Sequence, residues 1–235
     1  MSSVKKPVAI LISGRGSNMA ALIDAAAETD FPARVVLVVS DNADAKGLIV
    51  AQQVGIATET IERKGYASKA EHEAAITAAL RKAGAELICL AGFMRVLSAG
   101  FIGDWRGRIL NIHPSLLPSY RGLDPHKRAL DDGVLIHGCS VHFVTEELDA
   151  GPIVSQGAVP VLGDDTEKTL AARVLGVEHR IYPLALKMVA EGLAEFAGGR
   201  VRFRHQPQPK AGSASLIAPA ISSRGSFEDL ARLTP

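Results

Sequence analysis

Val8-Ala9-Ile10-Leu11-Ile12-Ser13-Gly14-Arg15-Gly16-Ser17-Asn18 is a continuous apolar run that stops at a glycine-rich turn and opens into a helical pattern. A run without polar alternation suits a strand covered on both faces, the condition inside a parallel sheet. Strand, tight turn and helix in that order form the first half of a βαβ unit. Val35-Val36-Leu37-Val38-Val39 repeats the apolar run, and the pattern places strands at 8–13, 35–40, 57–61, 87–90 and 109–112. Helices are expected between them at 18–27, 45–54 and 68–83. The fold class that follows is α/β, with a doubly wound, mostly parallel central sheet flanked by helices in a Rossmann-like arrangement.

After residue 113 the rhythm changes. Pro114, Pro118, Gly122 and Pro125 mark a loop, followed by a short helix at 126–130 and strands at 137–144 and 153–159. Asp165 and Thr166 cap a long helical pattern over 166–197, with Glu167 and Lys168 in its first turn and an interruption expected near Pro183. Residues 201–203 are read as a last strand. The domain is therefore placed at 1–205, and the Pro-, Ser-, Ala- and Gly-rich stretch at 206–235 is read as a C-terminal tail with a short helix at 227–233.

Lys and Arg total 26 against 25 Asp and Glu, for a formal net charge of +1. That balance gives no electrostatic footprint for nucleic acid or an acidic membrane surface, so small molecules are the expected partners. Cys89 and Cys139 each sit in an apolar run without Cys-x-x-Cys spacing, which points to buried thiols in a reducing, cytoplasmic compartment. The apolar run near the N-terminus falls far short of the roughly 20 residues that span a bilayer, so no membrane association is expected. A homodimer is the oligomer left open.

Three features carry chemistry. The turn around Gly14 and Gly16 presents free backbone N–H groups at a helix start, which suits an anion. Its third glycine position is Met19 and it lacks a Gly-Lys-Ser/Thr sequence, so one phosphate fits better than a pyrophosphate or a P-loop. A plain capped connection is the alternative. Asn111-Ile112-His113-Pro114 ends a strand, and period two puts Asn111 and His113 on one face. An amide and an imidazole at that edge suit a reaction that develops negative charge on a carbonyl oxygen, although both also fit loop backbone. Asp149, before Ala150-Gly151-Pro152, reads first as turn chemistry; a carboxylate there could also raise the pKa of the imidazole and keep it protonated, or relay a proton through water.

His113, His126, His137 and His142 share one stretch, but His137 and His142 are an odd number apart and face opposite sides of a strand. No metal-ligand spacing appears, and no metal is expected. His137 and His142 are read as packing or supporting residues, and Arg200, Arg202 and Arg204 as solvated charge.

Taken together, Ser13-Gly14-Arg15-Gly16-Ser17-Asn18, Leu90-Ala91-Gly92-Phe93-Met94-Arg95, Asn111-Ile112-His113-Pro114-Ser115-Leu116-Leu117-Pro118 and His137-Gly138-Cys139-Ser140-Val141-His142-Phe143-Val144 through Leu148-Asp149-Ala150-Gly151-Pro152 closely resemble the phosphoribosylglycinamide formyltransferase family. The resemblance covers about residues 7–204. It implies transfer of a formyl group from 10-formyltetrahydrofolate, as co-substrate, to glycinamide ribonucleotide in purine biosynthesis. It also implies a catalytic trio of Asn111, His113 and Asp149, which promotes the aspartate beyond its turn reading. By the same resemblance Gly16, Ser17, Asn18, Lys69 and Glu178 contact the acceptor, and Met94, Arg95, Val96 and Leu97, with Asn111, contact the folate. Residues 1–110 then form the phosphate-binding half and 111–205 the folate-binding and catalytic half. Leu175 and Lys69 depart from some members, and a lysine lacks the bidentate fork of an arginine.

Three other functions share parts of this pattern. A formyltetrahydrofolate deformylase is expected to carry an additional N-terminal domain and has no use for a phosphate turn. A methionyl-tRNA formyltransferase is expected to carry a further C-terminal domain and a basic surface. A non-catalytic nucleotide-binding protein has no use for Asn111, His113 and Asp149 together. The crowded prolines raise a cis Leu117–Pro118 bond as a question that sequence leaves open.

Overall fold

A computed structural model describes residues 4–204; the tail at 206–235 and its expected helix at 227–233 lie outside the described residues. The first half runs β1 (Lys6–Ile12), α1 (Ser17–Ala27), β2 (Ala33–Ser40), α2 (Lys46–Gln53), β3 (Thr58–Thr60), α3 (Lys69–Lys82), β4 (Leu87–Leu90), α4 (Ala99–Asp104) and β5 (Ile109–His113). The second half runs α5 (Pro125–Asp131), β6 (Ile136–Phe143), β7 (Ile153–Pro160), α6 (Glu167–Ala190), β8 (Ala194–Ala197) and β9 (Arg200–Phe203).

The main sheet has seven strands in the order β3-β2-β1-β4-β5-β6-β7. β1 to β5 pair in parallel, whereas β6 is antiparallel to β5 and β7 to β6. Winding proceeds outward from β1 in both directions, which makes the β1/β4 boundary a topological switch point, where open α/β sheets form their crevice. Ser13 and Gly92 meet there, the Ser13 N–H donating to the Gly92 carbonyl at 3.0 Å.

Both faces of the sheet are covered, which explains why β1 reads as uninterrupted apolar sequence: Val8 to Ile12 are each 0% exposed. Ile10, Ile12, Leu110, Ile112, Val141 and Phe143 pack with Met19 and Leu22 of α1 and Leu186 of α6. Leu11, Val39 and Ile88 pack on the other side with Ile76 and Leu80 of α3 and Phe101 of α4. Each such burial contributes on the order of 1.5–3 kcal/mol. Tyr182 fastens α6 to the sheet, its hydroxyl lying 3.0 Å from the Leu90 carbonyl and 3.1 Å from that of Leu110.

The structure departs from the sequence reading in the last third. The helix expected over 166–197 ends at Ala190, because Gly192 at φ 69° turns the chain back. Residues 194–197 instead form β8, joined to β9 by Gly198 and Gly199 at φ 58° and 76°, the left-handed pair that a tight hairpin requires. Pro183 does not interrupt α6. Burial of Ile181, Tyr182, Ala185 and Leu186 around it offsets the roughly 3 kcal/mol that an internal proline costs. Arg202 and Arg204 pair with Glu195 on the exposed hairpin. Helix α4 was not foreseen; Ser98 caps it by accepting the Phe101 N–H. The Leu117–Pro118 peptide is cis.

Candidate active site

Asn111 and His113 project from the end of β5 on the face opposite Leu110 and Ile112. The antiparallel pairing with β6 sets Asn111 across from His142 and His113 across from Ser140. Asp149 arrives on the β6–β7 connection. Its carboxylate lies 3.3 Å from His113 Nδ1 and 3.7 Å from His142 Nε2, and it accepts the Gly122 N–H at 3.0 Å. The other nitrogen of His113, Nε2, lies 2.9 Å from the Tyr120 carbonyl. His142 Nδ1 donates to the Phe143 carbonyl at 2.9 Å, which leaves Nε2 to accept from the Asn111 amide at 3.3 Å. That contact fixes which way the Asn111 side chain points.

The backbone here is held in unusual shapes. Tyr120, Asp124 and Asp149 are the positive-φ residues other than glycine among the described residues, and all three lie in the two loops that build this site. Left-handed backbone at such residues costs on the order of 1 kcal/mol each and persists only where surroundings enforce it. Gly151 is enforced differently. A Cβ there would lie 1.7 Å from the Phe143 carbonyl oxygen, so only glycine lets β7 begin this close to β6.

Burial is the main influence on His113 and drives its pKa below 6.5; the Tyr120 carbonyl and the Asp149 charge pull it back only in part. Asp149 does raise the pKa of this imidazole, as the sequence reading has it, but in the free protein desolvation is the larger influence and the net shift is downward. Burial also opposes the charge on Asp149, but the neighbouring His142 and His113 rings and the Gly122 amide outweigh it, leaving its pKa below 3.8. Both nitrogens of His113 thus face acceptors, and a neutral ring satisfies only one. A proton taken up by the ring satisfies both, so the arrangement is built to receive one when negative charge develops beside it.

These side chains floor a cavity of about 490 Å³ walled by Met94, Val96 and Leu97 on one side and by Leu123 and Leu148 on the other. Met94 and Val96 are 76% and 62% exposed, an apolar lip suited to a ligand. A second cavity of about 410 Å³ shares Phe93 to Leu97 and adds Arg63, Lys69 and Glu73.

The glycine-rich turn sits apart from the trio. Gly16, at φ 73°, precedes α1, and a Cβ on it would come within 3.0 Å of the Gly47 Cα. Ser17 and Asn18 form the first turn, and Asn18 Nδ2 donates to Glu178 Oε2 at 2.6 Å. Burial pushes the Glu178 carboxyl up, opposed by that hydrogen bond. The structure thus brings Gly16, Ser17, Asn18 and Glu178 together, and separately Asn111, His113 and Asp149 with the Met94–Leu97 wall. Lys69 joins neither the turn nor Glu178; it lies 3.9 Å from Glu73 in the second cavity. Leu175 lies on α6 and is partly buried. His142, read from sequence as a packing or supporting residue, lies against the Asn111 amide because β6 pairs antiparallel with β5. Among the described residues, no group of three or more His, Cys, Asp or Glu side chains is placed to hold a metal.

The formyl transferase family model matches residues 6–186. The chain belongs to the formyl transferase family. Within it, the Escherichia coli (strain K12) phosphoribosylglycinamide formyltransferase is 45% identical over 185 residues, covering 79% of this chain and 87% of that protein. The trifunctional purine biosynthetic protein adenosine-3 of Gallus gallus is 50% identical over 191 residues, which span 81% of this chain and 19% of that much longer protein. A crystal structure of the Brucella melitensis phosphoribosylglycinamide formyltransferase is 58% identical with a TM-score of 0.77, covering 79% of this chain and 96% of that one. A formyltetrahydrofolate deformylase from Pseudomonas syringae superposes with a TM-score of 0.80 at 24% identity, a likeness of fold alone.

Proposed function

We propose that this formyl transferase moves a formyl group from 10-formyltetrahydrofolate to the amino group of glycinamide ribonucleotide, a step of purine biosynthesis. The observation that carries the reading is the pairing of two separate features: a polar trio flooring an apolar-lipped cavity, and an anion turn at the switch point of the same sheet. In this reading the acceptor's phosphate sits on Gly16, Ser17 and Asn18, with Glu178 nearby for its sugar. The acceptor amine attacks the formyl carbon and a tetrahedral oxyanion forms. Asn111 has one amide hydrogen committed to His142 and the other free for that oxyanion. Each well-placed donor contributes about 3 kcal/mol. As charge develops, the proton lost by the attacking nitrogen is taken up by the His113–Asp149 pair and then delivered to the leaving nitrogen, so the enzyme gains no net proton. No covalent enzyme intermediate is needed.

The donor's ring would lie along Met94, Arg95, Val96 and Leu97. Lys69, with Arg63 and Arg95, gives the second cavity a cationic lining that suits the carboxylates of a folate, so we assign Lys69 to the donor rather than the acceptor. Balanced charge and two buried thiols, each raised to about 12 by burial, support a cytoplasmic enzyme acting on small molecules. The rival reading is hydrolysis of the donor, which has no use for the anion turn. Turnover of 10-formyltetrahydrofolate, followed with and without glycinamide ribonucleotide, tests the proposal: turnover only with acceptor supports it, and equal formate release without acceptor selects the deformylase.

A further inference from the structure

Ser13 closes β1 and opens the glycine-rich turn, yet three of its groups bind elsewhere. Its N–H donates to the Gly92 carbonyl at 3.0 Å, its hydroxyl accepts the Met94 N–H at 2.9 Å, and its carbonyl accepts Asn42 Nδ2 at 3.3 Å. The wall from Gly92 to Ser98 has no helix or strand of its own, so side chains from neighbouring elements hold it. Arg95 pairs with Asp41, whose second oxygen is buried without a partner, so that acid is committed to the wall. At the far end Glu73 accepts the Ser98 N–H at 2.8 Å and pairs with its hydroxyl. Of these anchors, only Ser13 also belongs to the anion turn. The turn is also tied to α2, the Gly14 carbonyl accepting the Gly47 N–H at 3.1 Å, so Ser13 is where this anchored turn meets the wall.

We propose that Ser13 is a positioning residue that couples the two substrate sites. An anion seated on the turn at Gly16 to Asn18 orders Ser13, and the Ser13–Met94 contact passes that order to the wall that receives the donor. Past Gly92 the wall is held by a few side-chain contacts, and of those from Ser13, Asp41 and Glu73 the Ser13–Met94 contact is the one that reaches the anion turn. Coupling of this kind is reciprocal, and each substrate then binds more tightly in the presence of the other. The inference rests on the formyl transfer reading, because it takes the turn and the wall as acceptor and donor sites.

Titration calorimetry on the full chain tests it, with tetrahydrofolate probing the wall and inorganic phosphate probing the turn. In the wild type, saturating phosphate is expected to lower the tetrahydrofolate Kd by about 5-fold. Ser13→Ala is expected to weaken tetrahydrofolate binding by about 3- to 10-fold and to erase the phosphate enhancement. Ser13→Thr, which keeps the hydroxyl, should restore both, a rescue that a role in stability alone would not produce. If Ser13→Ala does not fold, Ser13→Cys, with a weak acceptor of similar size, carries the same expectation. Undiminished phosphate enhancement in the folded Ala or Cys variant overturns the coupling. So does a wild type whose tetrahydrofolate Kd ignores phosphate, and both outcomes leave formyl transfer standing. A wild type that binds no tetrahydrofolate sinks the coupling and the transfer reading together.

Discussion

Replacing Asp149 by Asn keeps the side chain's size and removes its charge. The carboxylate lies 3.3 Å from His113 Nδ1 and accepts the Gly122 N–H at 3.0 Å, so the perturbation acts mainly on a proton arriving at the ring. A unit charge at that separation is worth about 5 kcal/mol at an effective dielectric of about 20. Water entering the open cavity and the dipole that remains in the amide reduce this to about 3 kcal/mol, roughly two orders of magnitude in turnover. Asn111 and the Met94–Leu97 wall are untouched, so tetrahydrofolate affinity should change by less than about threefold. Steady-state formyl transfer and calorimetry with tetrahydrofolate measure the two quantities separately. A variant with near wild-type turnover would refute the assignment of Asp149 to proton handling. Equal losses in turnover and affinity would instead make it a residue that shapes the cavity.

His142→Leu removes the acceptor that orients the Asn111 amide, and kcat should fall by about tenfold or more in steady-state kinetics. An unchanged kcat would remove His142 from the site. His113, His126 and His137 all have pKa values lowered from 6.5, burial being the first cause in each, and His137 reaches about 4. Unfolded rings gain protons near 6.5 while folded ones resist, so the stability held above 6.5 should be lost as pH falls toward about 4. Urea denaturation across that window measures the slope, and His137→Gln should flatten it. Asp149, lowered from 3.8, acts only in stronger acid: its contribution is present above 3.8 and lost as pH falls through its folded value. Tyr182→Phe should cost about 1–3 kcal/mol in urea denaturation, because the buried carbonyls of Leu90 and Leu110 lose a donor, with activity per folded molecule unchanged.

The parallel half of the fold was legible because a strand buried on both faces must be apolar throughout, and Val8 to Ile12 and Val35 to Val39 carry that pattern directly. Asn111 and His113 were legible for the same reason, since period two alone puts them on one face. The features that sequence does not display depend on contacts between distant segments. Gly151 is required by the approach of β7 to Phe143, and His142 gains its place from pairing with Asn111 across β5 and β6. The end of α6 was overrun because its helical pattern continued past Gly192, and the hairpin formed by Gly198 and Gly199 was not recognised as a turn. The net downward shift of His113 could not be read from sequence, which shows its carboxylate neighbour and not the depth of its burial.

The most direct test of the account follows the formyl carbon itself. Donor carrying ¹³C at the formyl position is mixed with the wild-type protein and glycinamide ribonucleotide, and the label is traced by NMR. The account predicts that the label appears as a formamide on the acceptor nitrogen, that none is released as formate, and that His113→Ala and Asp149→Asn slow its arrival. Label appearing chiefly as free formate, at a rate indifferent to the acceptor, would contradict it.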